Sequence, residues 1–343
     1  MGSKIYIHVG PPKTASTFLQ KGVIEKIESK KSIVNPKVEI GGREVNFSDL
    51  FLLSPEVWDG VGRNILTEYA EVSLSEDNDL IISSEGIYGG LMTPRPWYKS
   101  RVECLTSEVN ALREINGFPH HHSNAVHLER VADMASQIGF DSTKVLVTVR
   151  RQDTKLASGY AEMSSSIAGA SQKNFEQWVD TILGDPVGYY GLGGAKLDYF
   201  TWWKEVAGRL GKDNILLLPM EMLGKNPRDF LQRWMEFLNL ENDQEAADLI
   251  ESAAEKRMRT SSESETVWRL RPPARSIEAS SFRILRSVGL LSTVKGVFGW
   301  PERERKIKLH DEMSKKILKE YRGSNANLDD NVDKISIKEY EYY

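Results

Sequence analysis

His8-Val9-Gly10-Pro11-Pro12-Lys13-Thr14-Ala15-Ser16-Thr17 follows directly on the apolar run Ile5-Tyr6-Ile7. The run reads as a buried strand and the quoted stretch as a tight turn that opens a helix. Phe18, Leu19, Val23, Ile24 and Ile27 then recur near a helical period. The first N–H groups of a helix have no partner inside it and point outward, which suits an anion. Lys13 adds a mobile positive charge, and Ser16 and Thr17 add hydroxyl donors. The stretch reads as a phosphate cradle, with an ordinary strand–helix turn as the alternative.

Spacing decides which cradle. A nucleotide-triphosphate loop, G-x-x-x-x-G-K-[ST], has glycine directly before its lysine, whereas Pro12 stands there in this chain. Lys13-Thr14-Ala15-Ser16-Thr17 resembles instead the 5′-phosphosulfate loop of sulfotransferases, K-[ST]-G-[ST]-[ST], with Ala15 where glycine is usual. The resemblance implies the sulfate donor 3′-phosphoadenosine-5′-phosphosulfate (PAPS) as co-substrate, adenosine 3′,5′-bisphosphate as product, and no metal. It assigns Pro12, Lys13, Thr14, Ala15, Ser16 and Thr17 to donor binding and makes Lys13 the stabiliser of the leaving phosphate oxygen.

A second constellation is Val147-Thr148-Val149-Arg150-Arg151-Gln152-Asp153 followed by Ser158-Gly159-Tyr160. An arginine at a strand end and a serine eight residues on, in the first turns of a helix, can converge on one phosphate. Guanidinium supplies a planar fork of donors and serine a hydroxyl. The spacing resembles the 3′-phosphate site of sulfotransferases, with Arg150 and Ser158 as the matching residues, and R-R-Q-D with S-x-Y is similar to bacterial members. Leu197 to Ile215, Met220 to Leu223, and Tyr321-Arg322-Gly323-Ser324-Asn325-Ala326-Asn327-Leu328 extend the resemblance along the chain. It implies an α/β, P-loop-like sulfotransferase fold with a mostly parallel central sheet flanked by helices.

The residue pattern agrees. Asp79 to Ser83, Lys144 to Val149 and Asn214 to Leu218 read as further strands. Helical patterns lie between them, one stopped by Gly211 and one capped at Asn226-Pro227. Strands alternating with helices make a sheet covered on both faces, and ligands bind beyond the carboxyl ends of its strands. The cradle, Glu85 and Arg150 all fall at such ends. The stretch from Ser29 to Val61 reads as polar and irregular. Residues 1–330 read as one domain, with a donor-binding core over about 1–240 and a donor-covering helical part over about 241–330. The tail, 331–343, alternates charge with tyrosine and reads as flexible.

Net charge is −4, so a polyanionic ligand has to be met by local clusters of cations, and the charge argues against a general nucleic-acid binder. The single Cys104 has no internal disulfide partner, which favours a reducing compartment. No secretory signal or membrane-spanning run is visible, and the chain reads as cytoplasmic. The cationic, amphipathic pattern of 281–300 allows peripheral membrane contact beside an ordinary core helix. Oligomeric state is not legible.

Sulfuryl transfer to a hydroxyl needs a proton acceptor near the sulfur. Glu85, in Ser83-Ser84-Glu85-Gly86, resembles the glutamate base of heparan-type carbohydrate sulfotransferases. A capping role for Glu85, or a histidine base among His120, His121, His122 and His127, stays open. The histidine cluster reads first as an exposed polar loop, and His8 as orienting the turn or a substrate group. In the family a late loop adds cations to the 3′-phosphate, and Arg257 and Arg259 are the matching candidates. The acceptor, read as a glycoside, glycolipid or natural-product alcohol, would meet the loops 88–97 and 164–192. A non-catalytic nucleotide-binding protein and a P-loop kinase are the rival functions.

Overall fold

A computed structural model of the chain describes residues 2–11, 14–27, 30–40, 43–52, 55–75, 79–88, 120–167, 169–184, 197–240, 244–260, 266–271, 305–332 and 335–343. β1 (Lys4–His8) turns into α1 (Ser16–Gly22), followed by β2 (Lys31–Val34), β3 (Lys37–Ile40), β4 (Arg43–Asn46), α2 (Arg63–Ser75) and β5 (Leu80–Ser83). Then come α3 (His120–Ile138), β6 (Ser142–Val149), α4 (Gln152–Met163), α5 (Gln172–Gly184), α6 (Tyr199–Leu210) and β7 (Ile215–Pro219). α7 (Met220–Lys225), α8 (Pro227–Phe237), α9 (Gln244–Thr260), β8 (Val267–Arg269), β9 (Lys306–Lys308) and α10 (Asp311–Asn331) complete the order.

The central sheet has five strands in the order β2-β5-β1-β6-β7, and every pairing in it is parallel. Parallel strands are buried on both faces, which is why they read as continuous apolar runs. Ile5, Ile7, Ile82, Val145 and Val147 pack into one layer with Leu128 of α3 and Trp202 of α6. Tyr6, Ile81, Leu146 and Leu218 pack into the other, with Leu19 of α1 and Phe230 and Trp234 of α8. Each such side chain contributes about 1.5–3 kcal/mol by leaving water.

The helix ends follow the residues expected to set them. Asp198 caps α6 by accepting from the Thr201 N–H (3.0 Å), and the helix stops at Gly211, whose φ of 85° lies in the left-handed region. Asn226 caps α8 by accepting from the Asp229 N–H (3.3 Å), and Pro227 follows it in the first turn.

Three expectations need correction. The irregular stretch 29–61 holds β2, an edge strand paired only with β5, and the β3–β4 hairpin. Such short, charge-bearing strands carry little apolar signal. The acceptor loop 164–192 contains α5, whose Phe175, Val179 and Ile182 are buried. Finally, the tail is packed. Tyr342 is fully buried, its hydroxyl donates to Glu221 Oε2 (2.7 Å), and its carbonyl accepts from Asn325 Nδ2 (2.8 Å). Asn325 and Gln152 form a reciprocal amide pair at 2.7 and 3.1 Å, and Glu221 Oε1 accepts from the Arg151 N–H (2.9 Å). The tail thus holds the entry to α4.

The turn out of β1 is also tightly defined where it is described. The Val9 N–H donates to the Leu146 carbonyl (2.9 Å), and the Thr14 hydroxyl donates to the Pro11 carbonyl (2.6 Å). Ala15 has φ 62° and ψ 17°, the left-handed conformation that glycine takes without strain. That conformation is the physical reason for a glycine at this position of the motif.

Two stability measurements follow. Ala15→Gly relieves a left-handed alanine and should stabilise the protein by about 1 kcal/mol in denaturant unfolding. Tyr342→Phe leaves one Glu221 oxygen buried without its donor and should destabilise by about 1–3 kcal/mol. An unchanged melting temperature in Tyr342→Phe would mean that the tail does not hold Glu221.

Candidate active site

β5, β1 and β6 are neighbours in the sheet, and the three segments expected to carry chemistry leave their carboxyl ends side by side. The Ser84 N–H donates to the His8 carbonyl (3.1 Å), which continues the β5–β1 pairing up to the turn that carries Glu85. That turn is closed by the Ile87 N–H on the Ser84 carbonyl (3.3 Å) and anchored by Asn124 Nδ2 on the Ile87 carbonyl (2.5 Å). Gly86 sits so close to Ser48 that a Cβ there would lie 2.3 Å from the Ser48 hydroxyl oxygen. The glycine after Glu85 therefore meets a packing demand, and Glu85 itself is half-buried at the strand edge.

Next along the edge is the cradle. Thr14 and Ser16 are buried, Ala15 is half-buried and Thr17 is exposed. Pro12 and Lys13 lie outside the described residues. Arg150 follows β6 directly; its Nε donates to Thr154 Oγ1 (3.2 Å) and its carbonyl accepts from the Tyr199 hydroxyl (2.6 Å). Burial, reinforced by the Glu221 charge, pushes the Tyr199 phenol far up, so it remains a donor to that carbonyl. Ser158 lies in the second turn of α4, buried, with its hydroxyl on the Lys155 carbonyl (3.2 Å). Arg257 and Arg259 fall near the end of α9, and their side chains lie outside the described ones.

Arg150 and Arg151 differ in surroundings. Arg151 grips both oxygens of Asp153 (2.8 and 3.1 Å) and reaches Glu341 (3.0 Å). Burial alone would lower its guanidinium; the Asp153 hydrogen bond and charge, with Glu221 and Glu341, outweigh burial and hold it above its ordinary value. Asp153 also accepts from the Ser314 hydroxyl of α10 (2.5 Å). Burial raises the Glu221 carboxyl, and its bonds from Tyr342 and the Arg151 N–H oppose that rise only in part.

The histidines separate clearly. His120, His121 and His122 open α3 and are not a loop, and their side chains lie outside the described ones. His127 is fully buried: its Nδ1 accepts from Trp58 Nε1 (2.8 Å) and its ring lies against Phe51, with centroids 5.2 Å apart. It is a core histidine, packed with Trp58 and Phe51. His8 is also buried, and burial lowers its pKa to about 3, so its ring is neutral near pH 7. Among the described residues, no group of three or more His, Cys, Asp or Glu side chains could hold a metal ion.

Glu221, Tyr342 and Asn325 are the supporting residues that sequence reasoning did not single out. Asn325 and Glu221 each stood inside a stretch that carries the resemblance, Tyr321 to Leu328 and Met220 to Leu223, whereas Tyr342 had no signal. A cavity of about 370 Å³ lined by Lys144, Lys212 and Phe237 runs along the amino half of β7, away from the edge described above. Among the described residues no helix is long and apolar enough to cross a membrane.

Comparison with known proteins bears on this site. No curated protein sequence matches the chain. The fold is compared with a sulfotransferase from Alicyclobacillus acidocaldarius, 10% identical over 71% of this chain and 83% of that one, at TM-score 0.42. The mouse sulfotransferase SULT7A1 complexed with PAP is 15% identical over 75% of this chain and 66% of that one, at TM-score 0.37. The family model described as "Sulfotransferase domain" matches residues 98–282, a span that holds Arg150 and Ser158 and begins after the cradle. With more than half of the chain inside that match, the protein belongs to the sulfotransferase domain family.

Proposed function

We propose that the protein transfers a sulfuryl group from PAPS to a hydroxyl of a glycoside, glycolipid or natural-product alcohol. The observation that carries this reading is the shared carboxyl edge of β5, β1 and β6, where Glu85, the Thr14–Thr17 turn and Arg150 stand in adjacent positions. A phosphosulfate donor with a 3′-phosphate has two anionic ends. The turn after β1 suits the 5′ end, and Arg150 with Ser158 suits the 3′ end.

In the transfer, the acceptor oxygen forms a bond to sulfur as the bond from sulfur to the 5′-phosphate oxygen breaks. Negative charge then grows on the leaving phosphate, and the acceptor hydroxyl loses its proton. Positioned cations and N–H groups matter most for such a loose transition state. Lys13 is assigned to the leaving oxygen, with Thr14 to Thr17 supplying backbone and hydroxyl donors. Glu85 is assigned as the proton acceptor, since a half-buried carboxylate on a rigid turn can face a bound hydroxyl. Arg257 and Arg259 are assigned to the 3′-phosphate, the acceptor to the 88–97 and 164–192 region, and the protein to the cytoplasm.

Calorimetry with adenosine 3′,5′-bisphosphate and with ATP tests the donor class; tighter binding of ATP would favour a kinase. Product mass spectrometry should then find the gain of one SO₃ on an alcohol acceptor in the presence of PAPS, and binding without such a product would favour the non-catalytic rival. Arg150→Ala should weaken a 3′-phosphorylated donor by about 10-fold or more while leaving an analogue without that phosphate nearly unchanged. Equal losses would remove Arg150 from the 3′ site. Glu85→Gln should lower kcat by about 10²-fold or more with donor affinity unchanged. Retained turnover would move the base elsewhere.

A further inference from the structure

His8 ends β1 with its side chain on the same sheet face as Tyr6, against Trp234 of α8, with ring centroids 5.1 Å apart. Its Nδ1 lies 2.8 Å from the Ser83 hydroxyl. Its Nε2 is buried and has no hydrogen-bond partner among the described residues. An unmet buried donor or acceptor is costly, so native proteins keep few of them away from ligand sites. Nε2 faces the cradle: a Cβ on Gly10 would lie 3.0 Å from Nε2 and 3.5 Å from Thr14 Oγ1. The missing side chain at Gly10 thus keeps open the space between the ring and the turn.

Hydrogen bonding decides which nitrogen carries the proton. Ser83 Oγ accepts from Gln20 Nε2 (3.0 Å) in the arrangement in which the Gln20 and Asn35 amides also face each other at 3.4 Å. In that arrangement the Ser83 hydroxyl can give its proton to His8 Nδ1 (2.8 Å), the tautomer that leaves the ring proton on Nε2. Thr148 Oγ1 is a second buried group without a partner among the described residues. It shares the face of Leu146, which pairs with His8, and lies two residues further toward the carboxyl edge. Two unmet polar groups on adjacent strands therefore share one face of the sheet near its carboxyl edge.

We infer that His8 is part of the anion site itself, its Nε2–H reserved for an oxygen of the 5′-phosphosulfate end held in the turn after β1. This rests on the donor reading above. Burial keeps the ring neutral, so it offers a fixed N–H dipole where a cation would be expensive to desolvate. Ser83 and Gln20 act as positioning residues that set the tautomer.

The test compares adenosine 3′,5′-bisphosphate with adenosine 3′-monophosphate, which lacks the 5′-phosphate, by calorimetry on the full chain. Wild type should bind the bisphosphate; failure there would overturn the donor reading itself. His8→Leu should weaken the bisphosphate about 10-fold or more and the monophosphate hardly at all, and His8→Gln, which keeps an amide donor, should recover most of the loss. A comparable loss for both ligands, or none for either, would overturn the role of His8 while leaving the donor reading intact. On wild type, ¹⁵N imidazole NMR should show a protonated Nε2 whose resonance shifts on adding the bisphosphate. A protonated Nδ1, or an unmoved signal at saturation, would likewise overturn it, even if His8→Leu does not fold.

Discussion

Everything at the carboxyl edge between β6 and β7 hangs on a buried polar network whose centre is the amide pair of Gln152 and Asn325. Both side chains are fully buried, and each supplies the donor that the other's carbonyl needs. Gln152 also donates to the Leu197 carbonyl (3.1 Å), and Asn325 donates to the Tyr342 carbonyl. Four segments distant in sequence therefore share one set of bonds. In a low-dielectric interior such a network is stabilising only when complete, because each unmet member carries the full cost of its lost water. Arg150 emerges from that network with its backbone carbonyl held by Tyr199.

This bears on how the two late and early sequence echoes are related. The Arg150–Asp153 segment and the Ser324–Asn325 pair are separated by about half the chain, yet they meet. Gln152 binds Asn325, Asp153 binds Ser314, and Ser324 donates to Asp198 (2.5 Å), the residue that caps α6. Read singly, the late echo has no chemistry. Its work is to hold the arginine-bearing turn.

What was legible in the sequence was local. The four buried strands announced themselves as apolar runs, and Gly211, Asn226 and Pro227 mark helix ends through backbone geometry that depends on the residue alone. The strand, turn and helix at the start of the chain were legible for the same reason, since they rest on consecutive residues. What stayed hidden depends on partners far away. His127 is a core residue because Trp58 donates to it across 69 positions, and nothing near His127 encodes that. Tyr342 is buried because Glu221 and Asn325 receive it, whereas its neighbours Glu339, Glu341 and Tyr343 look like a solvated tail. β2 was missed because an edge strand pairs on one side only and needs fewer apolar residues.

The adjacent arginines Arg150 and Arg151 sit in different surroundings. Consecutive residues leaving a strand point in opposite directions, so Arg150 and Arg151 face different surroundings. Arg151 turns toward Asp153 and Glu341, a two-oxygen grip that a lysine's point charge could not reproduce. Its backbone N–H is taken by Glu221, so side chain and main chain of one residue fix the turn from two sides. That fixation matters for the residue before it. A guanidinium on a mobile turn would lose conformational entropy on meeting a phosphate, whereas one on a clamped turn has already lost most of it. The acidic groups around Arg151 thus hold the backbone of the turn from which, in the proposed reading, Arg150 meets the donor's 3′-phosphate.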